Sequence, residues 1–179
     1  MTLPNVLSLI RLGLTPVFIA VFFSRLPNAH LWAALVYATA AFTDVLDGFF
    51  ARRYNQVTKL GRLLDPLADK LMGAAVIVCV ALTYPSLWWA AALFFVKEAL
   101  MGIGALIQYK KITDVFPSEF LGKFAVAFFF AACLAILVLQ DRLSGPLRQI
   151  LLGAAMLLSL IALARYIWRF AALLRKKKE

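Results

Sequence analysis

Apolar residues run through this chain in six stretches of about 20 residues, the length of a helix across a bilayer core, with polar residues gathered in the short breaks between them. The stretches are Val6 to Phe23, His30 to Tyr54, Leu60 to Thr83, Leu87 to Tyr109, Glu119 to Gln140 and Pro146 to Leu174. They predict an all-α integral membrane protein of six transmembrane helices, organised as one membrane domain over residues 1–179 without an internal repeat or a low-complexity linker. The opening Met-Thr-Leu-Pro-Asn has neither a basic region nor a small-residue cleavage site, so the first stretch is expected to be a retained helix rather than a signal peptide.

Composition narrows the class further. Of 179 residues, 64% are hydrophobic and 16% charged, against roughly a quarter charged in soluble domains. That excludes a water-soluble globule and a disordered chain. The only cysteines, Cys79 and Cys133, lie in the middle of apolar stretches, which excludes a disulfide scaffold. The formal charge of +10 points to the anionic membrane surface rather than to nucleic acid.

Lys and Arg are distributed asymmetrically. The breaks after the second and fourth stretches, with their flanks, hold Arg52, Arg53, Lys59, Arg62, Lys110, Lys111 and Lys123, and the tail adds Arg175, Lys176, Lys177 and Lys178. The other breaks hold only Arg25, Arg142 and Arg148. The positive-inside rule then predicts a multi-pass protein of the cell membrane with both termini cytoplasmic. His30 falls at the opposite face, where packing or solvation accounts for it.

The acids carry the chemical signal. Five of the nine, Asp44, Asp47, Asp65, Asp69 and Glu98, sit inside or at the ends of apolar stretches, where a carboxylate is expensive and points to function. At about 100° per residue, Asp44, Asp47, Gly48 and Ala51 share one face of the second helix, and Gly61, Asp65 and Asp69 share a face near the start of the third. The six-residue break Asn55 to Leu60 makes these helices antiparallel neighbours, so the two faces are expected to meet in a cavity open to the cytoplasm. Carboxylates crowded there would bind protons or recruit cations. Hard oxygen donors without His or Cys point to Mg²⁺, with Mn²⁺ or Ca²⁺ as alternatives. Gly48, Ala51 and Gly61 keep the face free of bulk, though helix packing alone also uses small residues. Arg52 and Arg62 form a cationic rim suited to phosphate.

The run Asp44-x-x-Asp47-Gly48-x-x-Ala51-Arg52, eight residues, then Gly61-x-x-x-Asp65-x-x-x-Asp69 resembles the full signature of the CDP-alcohol phosphatidyltransferase family. The opening Pro4-Asn5-Val-Leu-Ser8-Leu-Ile-Arg11 and the segment Leu64-Asp65-Pro66-Leu67-Ala68-Asp69-Lys70 are similar to the branches that use glycerol 3-phosphate and that form cardiolipin. The resemblance implies that family's six-helix fold, a homodimer, and transfer of a phosphatidyl group from CDP-diacylglycerol to an alcohol with release of CMP. It further implies that Asp44, Asp47, Asp65 and Asp69 hold two divalent ions and that Asp69 is the general base. Gly48, Ala51, Arg52 and Gly61 would then bind the CDP-lipid.

The expected acceptor is glycerol 3-phosphate, with phosphatidylglycerol or inositol phosphate as alternatives. A phosphorylated acceptor needs further cations, and Arg11, Lys97, Lys123 and Arg165 are the candidates, each also open to snorkelling or to an internal ion pair. The chain departs from the glycerol 3-phosphate branch where Gly122-Lys123 is followed by Phe124-Ala125-Val126 instead of Lys and Thr, and where Lys97 replaces the Arg before Glu98. A cation or proton transporter is the competing class, since intramembrane carboxylates also mark ion paths.

Overall fold

The computed structural model describes the backbone of residues 3–54, 61–111 and 120–176, and the side-chain surroundings of residues 5–44, 46, 64–104 and 120–169. The described residues form six α-helices: α1 Leu3–Phe22, α2 Ala29–Tyr54, α3 Gly61–Thr83, α4 Trp88–Lys111, α5 Phe120–Leu139 and α6 Gly145–Lys176. Each coincides with one predicted stretch to within a few residues. Short 3-10 turns, Pro85–Leu87 and Gln140–Arg142, lead into α4 and out of α5.

Among the described residues, five helices are long and apolar enough to cross a membrane: α1, α3, α4, α5 and α6. α2 carries Asp44, Asp47, Arg52 and Arg53 in its second half. Its apolar part, Leu31 to Thr43, spans only about 20 Å at 1.5 Å per residue.

Side chains are distributed inside out relative to a soluble protein. Ser8, Arg11, Thr15, Lys97 and Ser159 are buried, whereas Leu35, Phe42, Val126, Ile150 and Leu157 are exposed. A soluble monomer does not expose apolar surface around the whole bundle; lipid makes it neutral. The interior is built from Phe18, Tyr37, Val76, Ile77, Phe94, Phe129, Ile136 and Leu152, with alanines at 33, 34, 90, 91, 132 and 155 where helices approach closely. Tyr37 of α2 lies 4.3 Å from Phe130 of α5, ring centre to ring centre, and Phe94 of α4 stacks on Phe129 at 5.3 Å.

The helix order in space departs from the order in sequence. The principal contacts of α1 are with both α2 and α3, and among the described residues α2 and α3 do not form one of the principal helix pairs. α1 thus packs against both signature helices, while the faces of α2 and α3 expected to meet, Asp44 to Ala51 and Gly61 to Asp69, lie largely outside the described residues. The remaining helices close the bundle through the pairs α3 with α4, α2 with α5, α4 with α6 and α5 with α6.

The end of the bundle away from the aspartates is tied by Arg148. Its Nη2 donates to the Gln140 carbonyl at 3.2 Å, and its guanidinium lies 3.8 Å from the Tyr84 ring centre. Gln140 has φ 38°, a left-handed conformation uncommon for a non-glycine residue, and its carbonyl also accepts from the Leu143 N–H at 3.1 Å. Burial, above all, holds the Tyr84 phenol above its ordinary pKa, with Arg148 opposing that shift.

The α3–α4 contact depends on a glycine. A Cβ at Gly73 would lie 3.1 Å from Cζ of Phe94, a ring already stacked on Phe129 and so unable to retreat. Gly73→Val should therefore destabilise the bundle by about 1–3 kcal/mol through overpacking. Thermal unfolding in detergent is the check, and an unchanged midpoint would show that Phe94 has room to yield.

Candidate functional site

Three polar residues of α1, Asn5, Ser8 and Arg11, recur every three residues, and Thr15 follows four later; all are buried. On a helix this spacing makes one stripe, and the stripe faces the aspartates of α2 and α3. Arg11 Nη1 lies 2.8 Å from Asp44 Oδ1 of α2 and also donates to Asp69 Oδ1 of α3. One turn earlier, Ser8 Oγ donates to Asp65 Oδ1. Signature aspartates from two helices are thus gathered on the polar face of a third.

Depth separates the partners. Arg11 is 1% exposed and Ser8 fully buried, while the side chains of Asp44 and Asp69 are each 48% exposed. The arrangement is a cup with a cationic floor and a carboxylate rim opening at the end of the bundle where α1 and α3 begin and α2 ends. A buried guanidinium without anionic partners would be prohibitive, so Arg11 requires carboxylates at this position as much as they require a cation. Three carboxylates, Asp44, Asp65 and Asp69, meet this α1 face, and the single guanidinium of Arg11 leaves negative charge in surplus.

Asp47, Gly48, Ala51, Arg52 and Gly61 fall on α2 and α3, but their surroundings lie outside the described residues. Among the described residues, no three His, Cys, Asp or Glu side chains are grouped closely enough as they stand to hold a metal ion. The guanidinium of Arg11 takes the position between Asp44 and Asp69. The donor set itself, carboxylate oxygens with a surplus of negative charge and no sulfur or imidazole, suits a hard divalent ion.

A second charged group joins α3 to α4. Glu98 Oε1 lies 2.6 Å from Lys97 Nζ, and its Oε2 lies 3.2 Å from Lys70 Nζ. Lys97 is buried, with its ammonium 5.2 Å from the Phe94 ring centre, while Lys70 is largely exposed. Of the four candidate acceptor cations, then, Arg11 sits in the aspartate cup and Lys97 in this ion-paired group. Lys123 of α5 and Arg165 of α6 are exposed.

Sequence reasoning missed Ser8 as a partner of Asp65, and of the two readings it left for Arg11, an acceptor phosphate or an internal ion pair, the structure shows the ion pair. The available signal was the spacing of Asn5, Ser8 and Arg11, three polar residues on one face of an otherwise apolar helix.

Comparison with known proteins bears on this geometry. The description CDP-alcohol phosphatidyltransferase matches residues 1–164, a span that includes the cup, the signature and the Lys70–Glu98–Lys97 group. The chain belongs to the CDP-alcohol phosphatidyltransferase family. Similar proteins are named CDP-diacylglycerol–glycerol-3-phosphate 3-phosphatidyltransferase: 42% identical over 102 residues in Pectobacterium atrosepticum, and 41% in Salmonella typhimurium and in Escherichia coli. Each alignment covers 55% of this chain and 56% of the relative, so the chain spans about half the length of the curated relatives it matches. Family membership together with the apolar helices makes this a multi-pass membrane protein of the CDP-alcohol phosphatidyltransferase fold.

The two partners of Glu98 should differ in weight. Glu98→Gln strands the buried Lys97 beside a neutral amide and should cost about 3 kcal/mol. Lys70→Gln removes only a largely exposed partner and should cost at most about 1 kcal/mol. Chemical or thermal unfolding of both variants in detergent makes the comparison, and equal losses would contradict the assignment of Lys97 as the dependent partner.

Proposed function

We propose that this chain transfers the phosphatidyl group of CDP-diacylglycerol to glycerol 3-phosphate, giving phosphatidylglycerophosphate and CMP in phospholipid synthesis. The observation that carries the reading is the complete eight-position signature on α2 and α3, with Asp44 and Asp69 drawn together on Arg11 at one end of the bundle. The names of the relatives support the acceptor.

In this reading Asp44, Asp47, Asp65 and Asp69 would hold two Mg²⁺ ions, a role Mn²⁺ could share. Such ions supply charge neutralisation for a pyrophosphate under attack and for its leaving group. The chain's own residues do the rest. Asp69, at the open rim, accepts the proton of the acceptor hydroxyl as its oxygen bonds to the lipid phosphorus and the bond from that phosphorus to CMP breaks. Gly48 and Ala51 leave room for the cytidine nucleotide, Gly61 lets the backbone approach, and Arg52 meets a phosphate. Lys97, Lys123 and Arg165 stand as the cations for the acceptor's own phosphate. Arg11, buried beneath the carboxylates, belongs to the floor of the cup.

Basic residues at the signature end, from Arg52 to Arg62 and from Lys110 to Lys123, support a cytoplasmic mouth and cytoplasmic termini. That side is where a water-soluble acceptor and CMP would exchange. A homodimer is part of the same reading and rests on the family. Transport is disfavoured because α2 and α3 run as continuous helices through the acids, unlike the broken helices of secondary transporters.

Purified protein supplied with CDP-diacylglycerol and an equal mixture of glycerol 3-phosphate, phosphatidylglycerol and inositol phosphate should form phosphatidylglycerophosphate as its main lipid product. Cardiolipin or a phosphoinositide product would reassign the acceptor, and no CMP from any alcohol would reject the class. Asp69→Asn should bind CDP-diacylglycerol within a few-fold of the parent while turnover falls by about 10²–10⁴, the range for a lost general base. Undiminished turnover would remove Asp69 from that role.

A further inference from the structure

We propose that Arg11 is the resident counter-cation of the carboxylate cup and competes with divalent ions for Asp44 and Asp69, so that α1 sets the metal affinity of a site built on α2 and α3. The inference rests on the metal-site reading above, and it concerns a residue of this chain rather than the ions.

Placement comes first. One guanidinium nitrogen is shared by carboxylates from two helices, at the position where charge neutralisation of Asp44 and Asp69 is most needed. Arg11 is buried, so its charge is poorly screened by solvent. It is also always protonated, so it cannot withdraw by losing its charge when another cation arrives. A divalent ion reaching Asp44 or Asp69 must either displace those contacts or share the carboxylates with Arg11. Both routes weaken binding: displacement strands a buried guanidinium, and sharing places like charges about one carboxylate apart.

Removal of the guanidinium should therefore have two effects of opposite sign. Without divalent ions, Asp44 and Asp69 would face each other unneutralised and α1 would lose its ion pairs to α2 and α3, so the protein should be less stable. With them, the same carboxylates would bind more tightly because their competitor is gone. Unscreened, the repulsion between a guanidinium and a divalent ion a few ångströms apart would exceed roughly a hundredfold in affinity; solvent at the half-exposed carboxylates screens much of it, leaving an expected gain of about ten- to a hundredfold. A residue that merely shapes the site would give the reverse, since loosening the cup would weaken metal binding. Ser8 is the built-in contrast, because it holds Asp65 without carrying charge.

The test uses the full chain in detergent with Mn²⁺ as the probe, titrated by electron paramagnetic resonance of the free ion and followed in parallel by thermal unfolding. Arg11→Met should bind Mn²⁺ about ten- to a hundredfold more tightly than the parent, melt lower in EDTA, and show a larger Mn²⁺-induced rise in midpoint. Arg11→Lys keeps the charge on a shorter side chain that reaches the two carboxylates less well than Nη1 does, so it should fall between and serves if the Met variant does not fold. Ser8→Ala should not tighten binding. Equal or weaker Mn²⁺ binding by the folded Arg11 variants overturns the competition while leaving the metal site in place. Failure of the parent to bind Mn²⁺, or undiminished binding by Asp65→Asn, rejects the metal site and the competition with it.

Discussion

A guanidinium 1% exposed must find anions where it lies, and Arg11 finds them on two different helices, Asp44 of α2 and Asp69 of α3. Much of the architecture follows from that requirement. α1 can satisfy Arg11 only by lying against both signature helices, and there it places Ser8 against Asp65. The aspartates, for their part, could not gather at one end of an apolar bundle without a positive charge among them, because like charges held a few ångströms apart in a low dielectric repel by several kcal/mol. Fold and site are thus two aspects of one electrostatic balance.

The bilayer explains why such a balance is kept inside. With lipid as the solvent, apolar burial contributes little to helix association, and packing and polar contacts decide which helices adjoin. Close packing is supplied here by alanines and by Gly73 against Phe94. Polar contacts are concentrated at the two ends: the aspartate cup and the Lys70–Glu98–Lys97 group at one, the Arg148, Gln140 and Tyr84 tie at the other. The middle of the bundle is left to aromatic and aliphatic contacts such as Tyr37 with Phe130.

Much of this was legible in the sequence, and the physical reason is uneven. Helix positions follow from apolar run length, which the bilayer constrains strongly. The aspartates stand out because carboxylates in such runs are rare, and their spacing resembles one family. Less legible was the helix order. A six-residue break makes two helices neighbours in space by default, whereas the packing of α1 against both is set by contacts between residues 57 or 58 positions apart. The stripe of Asn5, Ser8 and Arg11 was visible, but its destination depended on the tertiary arrangement. The same holds for Glu98: Lys97 beside it suggests a pair, whereas Lys70 joins only through the register of α3 against α4.

That register gives α3 a double attachment. Asp69 and Lys70 are consecutive, so they point about 100° apart around the helix. The first meets Arg11 of α1, and the second meets Glu98 of α4. A rotation of α3 that improved one contact would spoil the other, which fixes the helix about its own axis where the proposed base resides. The net charges of the two groups also oppose: the described cup is negative, whereas two lysines against one glutamate leave the neighbouring group positive. Cations are favoured at one and anions at the other, the polarity needed if metal-bound pyrophosphate and a phosphorylated acceptor are to lie side by side on the same helix.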